Sequence, residues 1–159
     1  MDAPNPYATP GAKLADPPPG PGSPIKAVLF GLLVDVGGTV VASLILGIAY
    51  GMYLATSGLA GGDMQAAAES YRSGPMFYIG ALVGLMFSVL GGHVCGRIAR
   101  QSEYTLGVIL GVLSVLSGLL LSWNQLPALT STVLAVLGFA AVVLGAHWAK
   151  ARNRRERRQ

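Results

Sequence analysis

Four side chains in this 159-residue sequence could carry chemistry: Asp35, His93, Cys95 and His147. Each stands within or at the end of a run otherwise made of aliphatic and aromatic residues, methionine, glycine and small hydroxyl residues. Asp35 poses the sharpest question. A carboxylate deep in a membrane costs about 2.5–3.5 kcal/mol on insertion scales unless it is paired, hydrated or protonated. One expectation is therefore a proton- or cation-binding group in a small carrier. The plainer one is a structural carboxylate, either protonated or hydrogen-bonded to hydroxyls such as Ser88 or Ser114. His93 and His147 lie near the same ends of their runs, and two helical histidines at similar depth could ligate a haem, as in membrane b-type cytochromes. With 2 histidines in the chain there is no second pair, and histidines reaching to headgroup level are the plainer expectation. Cys95, the single cysteine, excludes an intrachain disulfide and a multi-cysteine zinc site. It reads as a small packing residue. No Ser-His-Asp set, paired carboxylates at one depth or metal-ligand spacing is visible, so the expectation is a protein that is not an enzyme and uses no cofactor.

The elements that must hold these groups follow from composition. Hydrophobic residues make up 52% of the chain and charged ones 11%, and the mean hydropathy is +0.55. An ordinary soluble domain has about a quarter of its residues charged, and a disordered chain lacks such apolar content. A transmembrane helix needs about 20 mostly apolar residues. Four runs qualify, at about 27–55, 75–96, 104–123 and 128–149. The last two show no polar face of the kind a soluble helix carries, and none alternates as a barrel strand would. The fold class expected is all-α, an integral membrane four-helix bundle. Asp35 then lies roughly 12–14 Å below the nearer boundary. The first run follows a stretch, 1–24, that holds eight prolines; it is too long for a signal's apolar region and is read as a retained anchor.

Charge sets the orientation. Lys13, Lys26, Arg97, Arg100, Lys150, Arg152, Arg154, Arg155, Arg157 and Arg158 fall on one side of four spans, and Arg72 alone on the other. Lys and Arg stay on the cytoplasmic side, so both termini are expected there. The stretch 1–24 is read as an extended or disordered Pro-rich tether, with Pro18 and Pro21 as a weak PxxP pattern. Residues 150–159 are read as a basic tail attracted to anionic headgroups, not to nucleic acid. In the loop 56–74, Asp63 is a candidate N-cap for a short helix through Tyr71. Its apolar face would be Met64, Ala67, Ala68 and Tyr71, lying on the membrane surface. Trp123 and Trp148 mark the water boundary.

Burial cannot drive helices together in lipid, so close backbone approach must, and that needs small residues on one stripe. The first span offers Gly31, Asp35, Gly38 and Ala42. The second offers Gly80, Gly84, Ser88, Gly91 and Cys95. In the third these are Gly107, Gly111, Ser114, Gly118 and Ser122, and in the fourth Ser131, Ala135, Gly138 and Gly145. GxxxG recurs at Gly47/Gly51, Gly80/Gly84, Gly92/Gly96 and Gly107/Gly111. These stripes support a compact bundle; the same residues could serve contacts between copies or with a membrane-protein partner.

Two segments carry a resemblance. Asn5-Pro6-Tyr7-Ala8-Thr9-Pro10, with Ala12 and Leu14, resembles an NPYxxPxAxL header on many small bacterial inner-membrane proteins. The segment Gly91-Gly92-His93-Val94-Cys95-Gly96-Arg97-Ile98-Ala99-Arg100 is similar to a GGYxAGRIA signature of uncharacterised bacterial four-span proteins, with His93 for the usual tyrosine and Cys95 for the usual alanine. The resemblance implies a bacterial inner-membrane location. It supplies no catalytic or binding residues, because those families have no established activity. The first functional expectation is a non-enzymatic multi-pass protein that supports or protects another envelope component. A small proton-coupled carrier using Asp35 comes second, and a b-type cytochrome a distant third.

Overall fold

The computed structural model describes residues 22–56, 64–100, 102–122 and 126–156, and every regular element among them is a helix. Helix α1 spans Pro24–Thr56, α2 Met64–Ser73, α3 Pro75–Ala99, α4 Glu103–Leu121 and α5 Ala128–Glu156. All except α2 are long and apolar enough to cross a bilayer. The chain is a multi-pass membrane protein with the expected all-α, four-helix architecture.

Local chemistry sets the helix ends. Pro24 and Pro75 open α1 and α3, because proline lacks the N–H that a first turn leaves unused and its φ is already helical. The first span therefore begins at Pro24, a turn before residue 27. Helix α3 continues past Gly96 and ends where Arg100 takes a left-handed φ of 56°. The largest difference lies in α5, which continues about two turns beyond residue 149. Much of what the sequence suggests as a basic tail is thus helical. Lysine, alanine and arginine are good helix formers, and positive charge at a helix C-terminus complements the macrodipole. Residues 1–21 of the Pro-rich stretch, with its PxxP pattern and header, and Asp63, Trp123, Arg157 and Arg158 lie outside the described residues.

Around the bundle the order is α1–α3–α5–α4. Helices α3 and α5 share the largest interface, and α1 meets α3 and α4 but not α5. The well-buried core lies toward the end where α1 starts and α3 and α5 finish, called the basic end below. It is built from Ala27, Cys95, Ala99, Leu106, Leu110 and Val142, with Ala146 and Ala149 also buried. Toward the opposite, loop end the packing loosens. Residues 38–56 of α1 touch α3 alone among the other spans, and none of them is buried. Short α2 is tied to this arm: Tyr50 Oη donates to Ser70 Oγ at 3.1 Å, and its ring meets Tyr71 edge-on at 5.3 Å. The remaining α2 face, at Met64, Ala67 and Ala68, lies outside the described side chains.

The small-residue stripes divide along the same line. A Cβ on Gly92 would fall on the carbonyl oxygen of Val142, and one on Gly145 on that of Val89. Here α3 and α5 touch backbone to backbone. A Cβ on Gly96 or Gly107 would stand 2.6 or 2.7 Å from the methyl of Ala149 or Ala146, and one on Gly31 2.7 Å from Leu110 Cδ2. Gly111 and Gly38 accept the rings of Phe139 and Phe87. Those seven do hold helices together. Gly80, Gly84, Gly118 and Gly138 have more room around them. A methyl on Gly80 or Gly84 would meet only the Tyr71 hydroxyl at 3.3 Å or the Thr39 methyl at 3.6 Å, and on Gly118 or Gly138 nothing within 4 Å. The Gly47/Gly51 motif likewise faces open space.

Candidate functional site

Helix α1 is not uniform. Over Leu33–Gly37 it widens into a π-turn, with Asp35 at its centre. Such turns carry one extra residue and are concentrated at functional sites. Thr39 Oγ1 donates to the Asp35 carbonyl at 2.6 Å, a hydroxyl-to-backbone bond of the type that bends helices. Gly91 lets α3 cross close beside it, since a Cβ there would stand 2.7 Å from Asp35 Cβ.

The Asp35 residue is 4% exposed. Its Oδ1 accepts a hydrogen bond from Ser88 Oγ of α3 at 2.7 Å, and its Oδ2 accepts one from Ser114 Oγ of α4. Three helices therefore converge on one carboxylate, each through a residue of its small-residue stripe. Two hydroxyl donors satisfy both oxygens of the buried carboxyl group, and such bonds are worth about 0.5–1.5 kcal/mol each, more where a partner is charged. The same two hydroxyls can turn their lone pairs toward a bound cation.

Above Asp35 opens a cavity of about 290 Å³. Asp35, Ser88 and Ser114 form its floor, Gly84, Gly118 and Gly138 line its walls, and Ser122 and Ser131 lie toward its mouth. From Ser114 to Ser122 the helical rise is about 12 Å. Polar groups cluster at its two ends, and between them the lining is mostly apolar, with Val36, Val40, Leu85, Val115, Leu119 and Leu134 beside the glycines. Below the floor the chain closes: Gly31, Gly91, Cys95 and Leu110 interlock there. Among known proteins, no family model, curated protein or solved structure matches this chain. The site is therefore read from its own geometry.

The other titratable candidates are placed elsewhere. His147 is exposed on α5, and its Nδ1 is hydrogen-bonded to the hydroxyl of Tyr104 on α4. His93 is half-buried on α3, its amide beside the point where Gly145 crosses. Nothing described joins the two histidines, and among the described residues no three His, Cys, Asp or Glu gather as metal ligands. Cys95 is fully buried in the seam against Gly31.

Sequence reasoning missed a second polar cluster at the basic end. Asn153 is 7% exposed, and its Nδ2 donates to the Gly96 carbonyl at 3.1 Å and to Glu103 Oε1 at 3.3 Å. Arg97 donates to Asn153 Oδ1 at 3.4 Å and bridges to Glu156 at 2.7 Å. This hydrogen bond from Arg97, helped by Arg152, holds the exposed Glu156 carboxyl below the usual carboxylate range. Together these groups tie the ends of α3 and α5 to the start of α4. The signal was present: extending the α5 stripe from Gly145 through Ala149 by one more step of four reaches Asn153.

Proposed function

We propose that this protein is a small proton-coupled carrier of a bacterial inner membrane, its basic end and both termini in the cytoplasm, with Asp35 as the carboxylate that binds a proton or small cation from the outside. The observation that carries this reading is the cavity that reaches from Asp35 to Ser122 and Ser131 toward the loop end, above interlocked packing of Gly31, Gly91, Cys95 and Leu110. A purely structural carboxylate needs hydroxyl partners but no hollow leading to it. The ten-to-one distribution of basic residues supports the orientation, and the basic end of α5 would meet anionic headgroups on that side. In that orientation the cavity would face the outside. Binding of a proton or cation neutralises Asp35 and removes the charge that would otherwise oppose closure of the cavity. The π-turn gives α1 a point at which to shift register, and the Asn153 cluster would hold the cytoplasmic end shut meanwhile. The supporting role in the envelope has no comparable structural feature in its favour.

The test is flux in sealed vesicles holding the full chain and a pH-reporting dye. An imposed gradient of pH or monovalent cation should give protein-dependent proton movement, and Asp35→Asn should abolish it while the helical spectrum and detergent elution volume stay those of the wild type. Equal proton movement in both proteins would overturn the proposal.

A further inference from the structure

A second concavity, of about 360 Å³, lies at the basic end between the start of α4 and the extended end of α5. It is lined by Tyr104, His147, Lys150, Ala151, Arg154 and Arg155. The α5 members fall at steps of three, one, three and one, which is one continuous helical face. That face contains no carboxylate. The acidic residues of this region lie on the other side of α5, where Glu156 is bridged by Arg97 and Arg152 and Glu103 is bonded by Asn153. The extension of α5 thus separates its charge into a neutralised edge against α3 and an uncompensated basic groove against α4. Neither Arg154 nor Arg155 has an ion-pair partner among the described residues.

The groove is also organised. The Tyr104 ring holds the Lys150 ammonium 4.1 Å from its centroid, within the range of a cation–π contact. Its hydroxyl orients the His147 ring through Nδ1. One aromatic residue of α4 therefore positions two of the basic groups. Depth points to the ligand. Helix α5 begins at Ala128, and about 30 Å of hydrocarbon is crossed in about 20 residues. Exposed Trp148 then marks the boundary, and Lys150, Arg154 and Arg155 rise through the headgroup layer.

We infer that this groove is a phosphate-binding site, and its depth assigns the phosphate to the headgroup of an anionic phospholipid. Arg154 and Arg155 supply planar, multiply donating guanidinium groups suited to phosphate oxygens. Lys150 adds a point charge, and His147 presents its second ring nitrogen.

The full chain in mild detergent would be titrated with phosphatidylglycerol, phosphatidylcholine and inorganic phosphate, and retained lipid read by native mass spectrometry. Phosphatidylglycerol should be retained in preference to phosphatidylcholine. The double variant Arg154→Ala with Arg155→Ala should weaken that retention about 30-fold. Arg152→Ala, whose charge Glu156 already meets, should behave as wild type. Tyr104→Phe keeps every charge but frees His147, and it should weaken retention measurably; a diffuse attraction to net charge would leave it unaffected. Displacement of the lipid by millimolar inorganic phosphate would assign the site to a soluble phosphate, and no displacement to the lipid. Either supports the phosphate site. Equal retention of both lipids without competition by phosphate would overturn it, as would equal losses from Arg152→Ala and from the double variant.

Discussion

Around Gly31 on α1 and from Val89 onward on α3, helices approach most closely, in places backbone to backbone; toward the loop end Gly118 and Gly138, residues of the same kind, border empty space. Gly92 and Gly145 lie on carbonyl oxygens of the opposing helix, whereas Gly118 and Gly138 have nothing near them. Gly118, Gly138 and Gly145 sit on the small-residue stripes and Gly92 in a GxxxG pair, all at steps of three or four. A small residue on such a stripe can therefore do either of two things. It lets two backbones touch, or it keeps a wall thin so that a cavity survives. Which one applies depends on how far the helices have diverged, and here α1 has left α4 by residue 38.

Alanine substitutions should separate the two halves most strongly. Gly92→Ala or Gly145→Ala places a methyl on a backbone oxygen that cannot move aside without parting α3 from α5. Overpacking of this kind costs about 1–3 kcal/mol or more, seen as a lower melting temperature in detergent. Gly118→Ala and Gly138→Ala should be neutral, or stabilising by up to about 0.5–1 kcal/mol through lower backbone entropy. Similar losses at all four positions would erase the distinction between seam and wall.

A smaller effect is expected at the polar edge of the packed half. Asn153→Ala removes the donor to the Gly96 carbonyl and to the buried Glu103 carboxylate. Leaving such groups unpaired costs about 1–3 kcal/mol, measurable as a shift in thermal unfolding. The smallest effect belongs to Arg97 and Glu156. Since Arg97 lowers the Glu156 carboxyl in the folded chain, its contribution is complete above the usual carboxylate range and lost as pH falls through the lowered value. Wild type and Arg97→Ala should therefore differ slightly in melting temperature at neutral pH and converge in acid.

Much of this arrangement was legible in the sequence. Runs of apolar residues specify four spans because the bilayer imposes their length, and the stripes put Asp35, Ser88 and Ser114 on facing surfaces before any contact was known. The pairing of those three follows from that shared stripe and depth. The cavity was not legible, because glycine and alanine spell close contact and empty space alike. The π-turn was not legible either: the Gly37-Gly38 pair at its end reads equally as part of a packing stripe, and the widening goes with the way Asp35 is held between α3 and α4. The helical course of residues 150–156 was hidden by composition, since a cluster of arginines also suits a free tail; Asn153 alone signals that the segment docks.

The central claim is that Asp35 is reached from the loop end and sealed from the basic end. It can be tested by thiol labelling, because the single native cysteine, Cys95, is fully buried. Gly118→Cys would place a thiol in the cavity wall, in open space and away from the Asp35 hydrogen bonds. A small, charged, membrane-impermeant thiol reagent should modify that variant when added on the loop side of oriented vesicles, and neither that variant from the basic side nor the native chain from either. Modification from the basic side, or none from the loop side, would contradict the account.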